Sequence, residues 1–259
     1  METKFETLRN FLKRSHDRLF LAYSHFQIWE ALKESIAPNI SGKEKADENI
    51  KTMNRYNSFF LLTIDAHRKV FALELAKFFD LNNDSLSIRK IINYSRSNKN
   101  YLKVEDFKSY NSDRDFLDNL ATDYQGIQES DLDDCQTWLK EIGLNITEKE
   151  SSKRIIKKSK LFKLKKFRDQ ALAHDQLKKE NNVLNVEEIQ SLFDCAEKIL
   201  NRISSKLNHE TWWHFGSDNN KQHTNLVIDH LTRFEPYRLQ EIKNDRNAKL
   251  EKYRNSNSK

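Results

Sequence analysis

The sequence contains little glycine, proline or cysteine. Four glycines and two prolines in 259 residues are too few for a β-sandwich or barrel, which needs a turn roughly every ten positions, so long helices are favoured. The two cysteines, Cys135 and Cys195, lie far apart, which argues against a disulfide framework and favours a reduced, cytoplasmic protein. No apolar run approaches the roughly 18–20 residues of a membrane span, and we expect neither a membrane anchor nor a signal peptide.

Charge, in contrast, is abundant and unevenly distributed. The net charge is +6, and residues 151–167 carry eight Lys or Arg and no acid. Residues 105–134 carry ten Asp or Glu against Lys108 and Arg114. Clustered positive charge is typical of proteins that bind polyanions such as RNA. The acidic segment can hold a partner, a second subunit or the chain itself in register.

Apolar residues recur at helical spacing over most of the chain, which predicts an all-α fold. We expect a bundle of long antiparallel helices, with additional short helices and a charged C-terminal tail. Long helices are predicted over residues 2–36, 44–79 and 147–174 and from 185 to about 203, and shorter ones over 86–94, 132–142 and 226–234.

Local signals place several helix boundaries. Gly143 is expected to cap the helix that precedes it, and Thr147 and Asn185 each begin a stretch of capping-box form. Residues 59–64 are apolar on nearly all sides, which predicts a position in the middle of the bundle. Residues 1–236 are expected to form one domain with an acidic, insert-like region at 95–150, followed by a tail at 237–259 that is partly disordered or helical.

The candidate site follows the basic run and has the sequence Phe167-Arg168-Asp169-Gln170-Ala171-Leu172-Ala173-His174. Cleavage of RNA without a metal needs a base for the ribose 2′-hydroxyl and a cation for the phosphate. Histidine titrates near neutrality, and the planar guanidinium of arginine binds phosphate through two parallel hydrogen bonds. Arg168 and His174 supply both residue types, and Asp169 can orient Arg168 or fix the histidine tautomer.

Each of these residues also has a purely structural interpretation. In a regular helix Arg168 and His174 lie about 120° out of alignment, so a composite site needs a looser helix end or a two-fold dimer. Arg168 and Asp169 can form a solvated ion pair, and His174 can be a helix-end residue favoured by the helix dipole. Pairs of similar spacing, such as Arg9 and His16, occur elsewhere in the chain.

The basic run also offers contacts to an RNA backbone. The candidate lysines are Lys157, Lys158, Lys160, Lys163, Lys165 and Lys166, and the alternative for each is a solvated helix face. His209, His214 and His223 fit no standard zinc spacing, so we expect no metal and no other cofactor. Glycine-rich phosphate loops, nucleophile elbows and metalloprotease motifs are absent from the sequence.

The chain resembles the HEPN superfamily, whose helical bundles carry an Arg, a polar residue and a His a few positions later. Arg168, Asp169 and His174 fit that pattern. The resemblance is closer to the HEPN proteins of abortive-infection type U, through the phrases Leu75-Ala76-Lys77-Phe78-Phe79-Asp80 and Ser85-Leu86-Ser87-Ile88. The likeness covers roughly residues 57–207 and is weak over 95–150.

The resemblance implies a homodimer whose two motifs face each other, and metal-independent ribonuclease activity that serves in phage defence or as a toxin. It also implies that Arg168 stabilises the phosphate, that His174 is the general base or acid and that Asp169 fills the polar position. Some HEPN proteins have lost catalysis. The alternative function is therefore a non-catalytic protein that binds RNA, or that docks a cognate antitoxin or defence partner through its acidic middle region.

Overall fold

The computed structural model describes residues 3–82, 85–101, 125–147, 154–172, 184–208, 210–212 and 219–257. Within these ranges the chain is helical, and its β pairing consists of one isolated antiparallel bridge between Leu144 and Ile155. The predicted all-α class is confirmed.

The described residues form nine α-helices and one 3₁₀ turn at Lys99–Tyr101. In chain order the helices are α1 (Lys4–Glu34), α2 (Pro38–Ser41), α3 (Lys43–Arg55), α4 (Asn57–Phe78), α5 (Ile88–Asn98), α6 (Glu129–Glu141), α7 (Lys160–Leu172), α8 (Val186–Asn208) and α9 (Asn220–Asn257).

Packing divides the chain into two compact units. The larger unit contains Met1–Phe26 and His67–Asp218, and the smaller unit contains Gln27–Ala66 and Asn219–Lys259. Helices α1 and α4 each contribute residues to both units. The boundary that the sequence suggested at residue 236 falls inside α9.

Helix α8 supplies the centre of the larger unit. Asn185 and Glu188 form the predicted capping box at its start, since each accepts a hydrogen bond from the backbone N–H of the other. One face of α8 is inaccessible to solvent, as its apolar spacing predicted, and contains Ile189, Leu192, Phe193, Ala196, Ile199, Leu200 and Ile203. Burial of a Leu or Ile side chain contributes roughly 1.5–3 kcal/mol, so this face is a major source of stability.

An aromatic cluster joins α8 to three other helices of the larger unit. Phe193 lies 5.2 Å from Tyr23 and 5.4 Å from Phe26, measured between ring centroids. Phe71 of α4 contacts Phe26 at 5.5 Å and stacks on Phe167 of α7 at 5.8 Å. The cluster therefore connects the core to the helix that carries the candidate site.

The described end of the acidic segment forms ion pairs within the chain. Arg96 of α5 contacts Glu129 and Asp133 of α6. Arg202 of α8 contacts Asp134 at 2.6 Å and Asp131 at 3.8 Å. The sequence allowed the acidic segment to contact a partner, a second subunit or the chain itself. Its described residues form contacts within the chain. The rest of that segment lies outside the described residues.

The smaller unit has its own apolar core. Leu32, Met53, Phe60 and Ile228 are buried together, and five partly buried residues pack against them: Ile28, Ile36, Tyr56, Ile64 and Leu231. Helices α3 and α9 pack together in this unit.

The prediction of one helix over residues 44–79 was wrong at Tyr56. Tyr56 has φ −107° and ψ 33°, and its N–H bonds to the carbonyl of Met53 instead of continuing the helix. Its hydroxyl donates to Glu235 Oε2 of α9 at 3.0 Å. The helix thus breaks at the residue whose hydroxyl bonds to α9. The local sequence contains no proline or glycine that would predict a break there.

Residues 59–64 do not occupy the middle of the bundle. Phe59, Leu61 and Leu62 are 63%, 57% and 70% exposed, whereas Phe60 is 5% exposed. Only one face of this part of α4 packs on the core of the smaller unit. Apolar residues on every face of the helix therefore did not mean that every face is buried.

The predicted helix over residues 147–174 was wrong over residues 154–159. Residues 148–153 lie outside the described residues, and residues 154–159 are not helical. Their backbone groups bond to the segment after α6 instead: the N–H of Asn145 donates to the carbonyl of Arg154, and that of Ile156 to Gly143. Helix α7 therefore begins at Lys160.

The C-terminal segment is helical to Asn257, and Pro236 lies inside α9 and not after it. Most residues between 237 and 257 are strong helix formers such as Arg, Lys, Leu and Glu. Exposure and charge suggested fraying there, but they do not oppose a helix of this composition.

Candidate active site

Helix α7 is positioned by a cap and by two kinds of apolar contact. The N–H of Phe162 donates to Ser159 Oγ at 3.2 Å, which caps the helix start. Leu161 and Leu164 are buried, and Phe167 stacks on Phe71. These contacts fix the helix axis up to the turn that carries the motif.

The first half of the motif forms an ion pair at the end of α7. The Nε and Nη2 atoms of Arg168 both donate to Oδ1 of Asp169, at 2.9 and 2.5 Å. Asp169 thus contacts and orients the guanidinium. The Arg168 side chain is 33% exposed. A guanidinium has five N–H donors and the pair uses two of them, so Arg168 can bind a phosphate without leaving Asp169.

The second half of the motif, His174, lies outside the described residues. The pairing of Arg168 with His174 stays a prediction.

Two of the candidate lysines face α8. Lys160 Nζ donates to Ser191 Oγ, and Lys163 Nζ pairs with Glu188. These contacts define an antiparallel arrangement of α7 and α8. Burial opposes ionisation of Glu188, but its hydrogen bonds with Lys163 and with the backbone of Asn185 hold its pKa below the ordinary value. Lys160 and Lys163 therefore already have partners within the protein. An RNA phosphate would have to compete with Ser191 and Glu188 for these two lysines.

The other candidate lysines lie at different places. Lys158 is exposed in the turn before α7 with φ +64°, so it precedes the helix on which the sequence placed it, as does Lys157. Lys166 lies over the ring of Phe162 at 5.4 Å. Lys165 is exposed and lines the same cleft as Arg168. Among the described lysines, Lys165 is thus the one that shares a cleft with the motif arginine.

That cleft, which we call the Arg168 cleft, has a volume of about 230 Å³. Its apolar walls come from α4 and the segment after it and from α7 and the segment before it, and Asp80, Lys165 and Arg168 supply its charged groups. The apolar lining residues are Ala76, Phe79, Leu81, Ile155, Leu161 and Leu164. A small apolar pocket bordered by a few charged groups is typical of a ligand site.

Two further arginines lie next to the cleft lining. Arg89 Nη1 donates to the carbonyl of Leu81, and Arg154 directly precedes Ile155. The pKa of Arg89 is lowered by its burial and by the positive charge of Arg154. Arg89 and Arg154 thus add positive charge next to Leu81 and Ile155 of the lining, which favours an anionic ligand. Sequence reasoning missed Asp80, Arg89 and Arg154, although Asp80 ends one of the phrases that carry the family resemblance.

Histidines elsewhere in the larger unit have packing contacts. His16 is buried, with Nε2 3.0 Å from Ser204 Oγ. The Nδ1 atoms of His25 and His67 lie 2.7 Å apart. Burial lowers the pKa of both residues, and the charge of His25 lowers the pKa of His67 further. Cys135 and Cys195 are free and buried, and burial raises their thiol pKa to about 12, so neither is an activated nucleophile.

Of the histidines considered as metal ligands, His223 is exposed on α9, and His209 and His214 lie outside the described residues. Across the described ranges, no three His, Cys, Asp or Glu side chains are grouped so that they could hold a metal ion. Likewise, no described helix combines the length and the apolar content needed to cross a membrane.

No curated protein and no solved structure matches the chain. Residues 2–226 match the HEPN AbiU2 family. The match covers most of the chain, including α7 and the candidate motif. The chain therefore belongs to the HEPN superfamily, in its abortive-infection AbiU2 branch.

Proposed function

We propose that the protein is a metal-independent HEPN endoribonuclease that acts in phage defence or as a toxin. The proposal rests above all on Arg168, which pairs with Asp169 near the end of α7 and lines a cleft together with Lys165. Membership of the family makes this arrangement a candidate for phosphodiester chemistry. A cytoplasmic location would give the enzyme access to its RNA.

In the proposed reaction, His174 removes the proton from a ribose 2′-hydroxyl, whose oxygen attacks the adjacent phosphorus. Arg168 stabilises the negative charge that develops on the phosphate oxygens, which is often the largest catalytic contribution. The bond to the 5′-oxygen breaks, and that oxygen takes up a proton from a general acid. The products are a 2′,3′-cyclic phosphate and a 5′-hydroxyl. In a homodimer, two such motifs share one interface.

The test is cleavage of RNA in the presence of EDTA by four variants. Arg168→Ala and His174→Ala should each lower the rate by roughly 10²–10⁴-fold, since one removes charge stabilisation and the other removes proton transfer. Arg14→Ala and His223→Ala are the matched controls, because Arg14 and His223 are exposed and lie outside the motif. DNA should not be cleaved, because it lacks the 2′-hydroxyl. Equal rates for all four variants would contradict the proposal.

The second candidate is a non-catalytic binding protein. Exposed apolar side chains on α9 favour it, among them Phe234, Tyr237, Ile242 and Tyr253, which are 47% to 70% exposed. Exposed apolar residues of this size are typical of protein interaction sites when they form a patch. A cognate antitoxin or a defence protein is the kind of partner that such a surface would take.

Expression in a bacterial host distinguishes the two candidates. Toxicity that disappears on His174→Ala supports the enzyme. A stable complex with a second protein, without RNA cleavage and without toxicity, supports the binding protein.

A further inference from the structure

The Arg168 cleft has the size of a pocket for one small ring system. Its volume of about 230 Å³ is below the roughly 300–1,000 Å³ of pockets for drug-sized ligands. Three of its lining residues, Phe79, Leu161 and Leu164, are almost inaccessible to solvent. Ala76 contributes only a methyl group to the lining. A flat heterocycle can lie here with its faces against apolar side chains, as unstacked bases do in other proteins.

The charges around the cleft fit the rest of a nucleotide. Lys165 and Arg168 belong to the lining, Arg89 bonds to the carbonyl of Leu81, and Arg154 directly precedes Ile155. The phosphates that flank a bound base would thus have four cations to draw on at or next to the lining. Contacts of this kind fix the position of an RNA strand but carry no sequence information.

Asp80 is the group in the cleft that can distinguish one base from another. Its Oδ1 accepts a hydrogen bond from the N–H of Asn82 at 3.1 Å, which orients the carboxylate in the turn after α4. An ionised carboxylate only accepts hydrogen bonds. Guanine presents N1–H and its 2-amino group side by side, so both carboxylate oxygens find a donor. Adenine and cytosine place a ring nitrogen acceptor beside the amino group, and uracil places a carbonyl oxygen on each side of its single donor, N3–H.

We propose that the Arg168 cleft binds a guanine base of the RNA substrate, with Asp80 accepting the hydrogen bonds of its Watson–Crick edge. Lys165 and Arg168 hold the adjacent phosphate. This inference rests on the proposed function for its RNA context, and it adds a base preference to it.

The test measures binding, so it does not depend on catalysis. The full-length protein is titrated by calorimetry with four trinucleotides of 2′-O-methyl RNA, which cannot be cleaved and differ only in the central base. The guanine trinucleotide should bind tightest. Asp80→Asn should weaken it roughly 5- to 150-fold, as expected for the loss of one bidentate base contact. The other three trinucleotides should change little.

Three variants separate the base from the phosphate. Lys165→Ala should weaken all four trinucleotides equally, because it removes a phosphate contact. Ala76→Leu should abolish the guanine preference, because the longer side chain fills the cleft. Asp47→Asn is the matched control for Asp80→Asn, since Asp47 is exposed on α3, and it should bind like the wild type. Thermal unfolding of each variant checks that it is folded.

Equal binding of the four trinucleotides, or a guanine preference that survives Asp80→Asn, would overturn the inference. Guanosine monophosphate should bind at least tenfold more weakly than the guanine trinucleotide, because it carries only one of the two phosphates that flank guanosine in the trinucleotide. Equal affinity would mean that the cleft serves a free nucleotide, which would overturn the RNA assignment. Cleavage of RNA without a guanine preference would overturn this inference and leave the ribonuclease proposal intact. Guanine binding without cleavage would support the guanine site and contradict the ribonuclease proposal.

Discussion

Phe71 connects the aromatic core to the motif helix, and its replacement should affect stability and activity separately. Phe71 is inaccessible to solvent and contacts both Phe26 and Phe167, the residue before Arg168. Phe193 is equally buried and contacts Tyr23 and Phe26. The ring that stacks on Phe167, however, is that of Phe71. The pair therefore offers a matched comparison: Phe71→Leu against Phe193→Leu.

The cost in stability should be similar for the two variants. Leucine has three side-chain carbons fewer than phenylalanine, which removes roughly 2 kcal/mol of burial at about 0.8 kcal/mol per carbon. Loss of two aromatic contacts adds roughly 1–3 kcal/mol. The sum of about 3–5 kcal/mol corresponds to a fall in Tm of roughly 6–20 °C, at about 2–4 °C per kcal/mol for a chain of this size.

The two variants should differ in RNA cleavage measured well below either Tm. Loss of the ring under Phe167 lets the end of α7 shift, and a displacement of about 1 Å in an active site can cost roughly 10²-fold in rate. Phe71→Leu should thus lose at least about tenfold more kcat/KM than Phe193→Leu. Equal activity of the two variants at equal stability would refute the claim that the stack positions Arg168.

Two further predictions concern the pH dependence of stability and a close backbone approach. The free energy of unfolding should fall as pH drops below 6.5, because burial lowers the pKa of His25 and His67 in the folded state and the unfolded chain then binds more protons; His67→Asn should flatten the Tm profile between pH 7 and 5. Gly143→Ala should destabilise the protein more than Gly42→Ala in urea unfolding. Both glycines have positive φ, but a Cβ on Gly143 would lie 2.1 Å from Ser159 Cβ, whereas one on Gly42 meets nothing within 4 Å.

Each of these two predictions would be contradicted by a specific result. A Tm that is constant or rises between pH 7 and 5 in the wild type, with no difference in His67→Asn, would contradict the lowered pKa of the partly buried histidine pair. Equal costs for the two glycine variants would mean that backbone strain, of roughly 1–3 kcal/mol, accounts for both and that Ser159 moves freely.

The sequence predicted the elements whose signals are local and regular. Helix α8 has an unbroken apolar stripe and a capping box at Asn185, and both are confirmed. Gly143 follows α6 with φ +99°, as expected of a residue that ends a helix. In each case a single helix face or a single backbone angle decided the outcome.

The errors arose where tertiary contacts override local composition. The lysine-rich run looked helical from Thr147 onward, but the backbone of residues 154–159 bonds to the segment after α6. Tyr56 interrupts a helix-forming sequence where its hydroxyl meets Glu235. The Arg168 cleft combines α4, α7 and a turn that lie far apart in the sequence, so only Arg168 and Lys165 could be proposed from their motif.

The central claim is tested most directly by the chemical ends of RNA fragments made in EDTA. The account predicts a 2′,3′-cyclic phosphate and a 5′-hydroxyl from the wild type, and fragments formed roughly 10²–10⁴-fold more slowly by His174→Ala and by Arg168→Ala. Intact RNA with the wild type, fragments with 5′-phosphate ends, or unchanged fragments from both variants would contradict it.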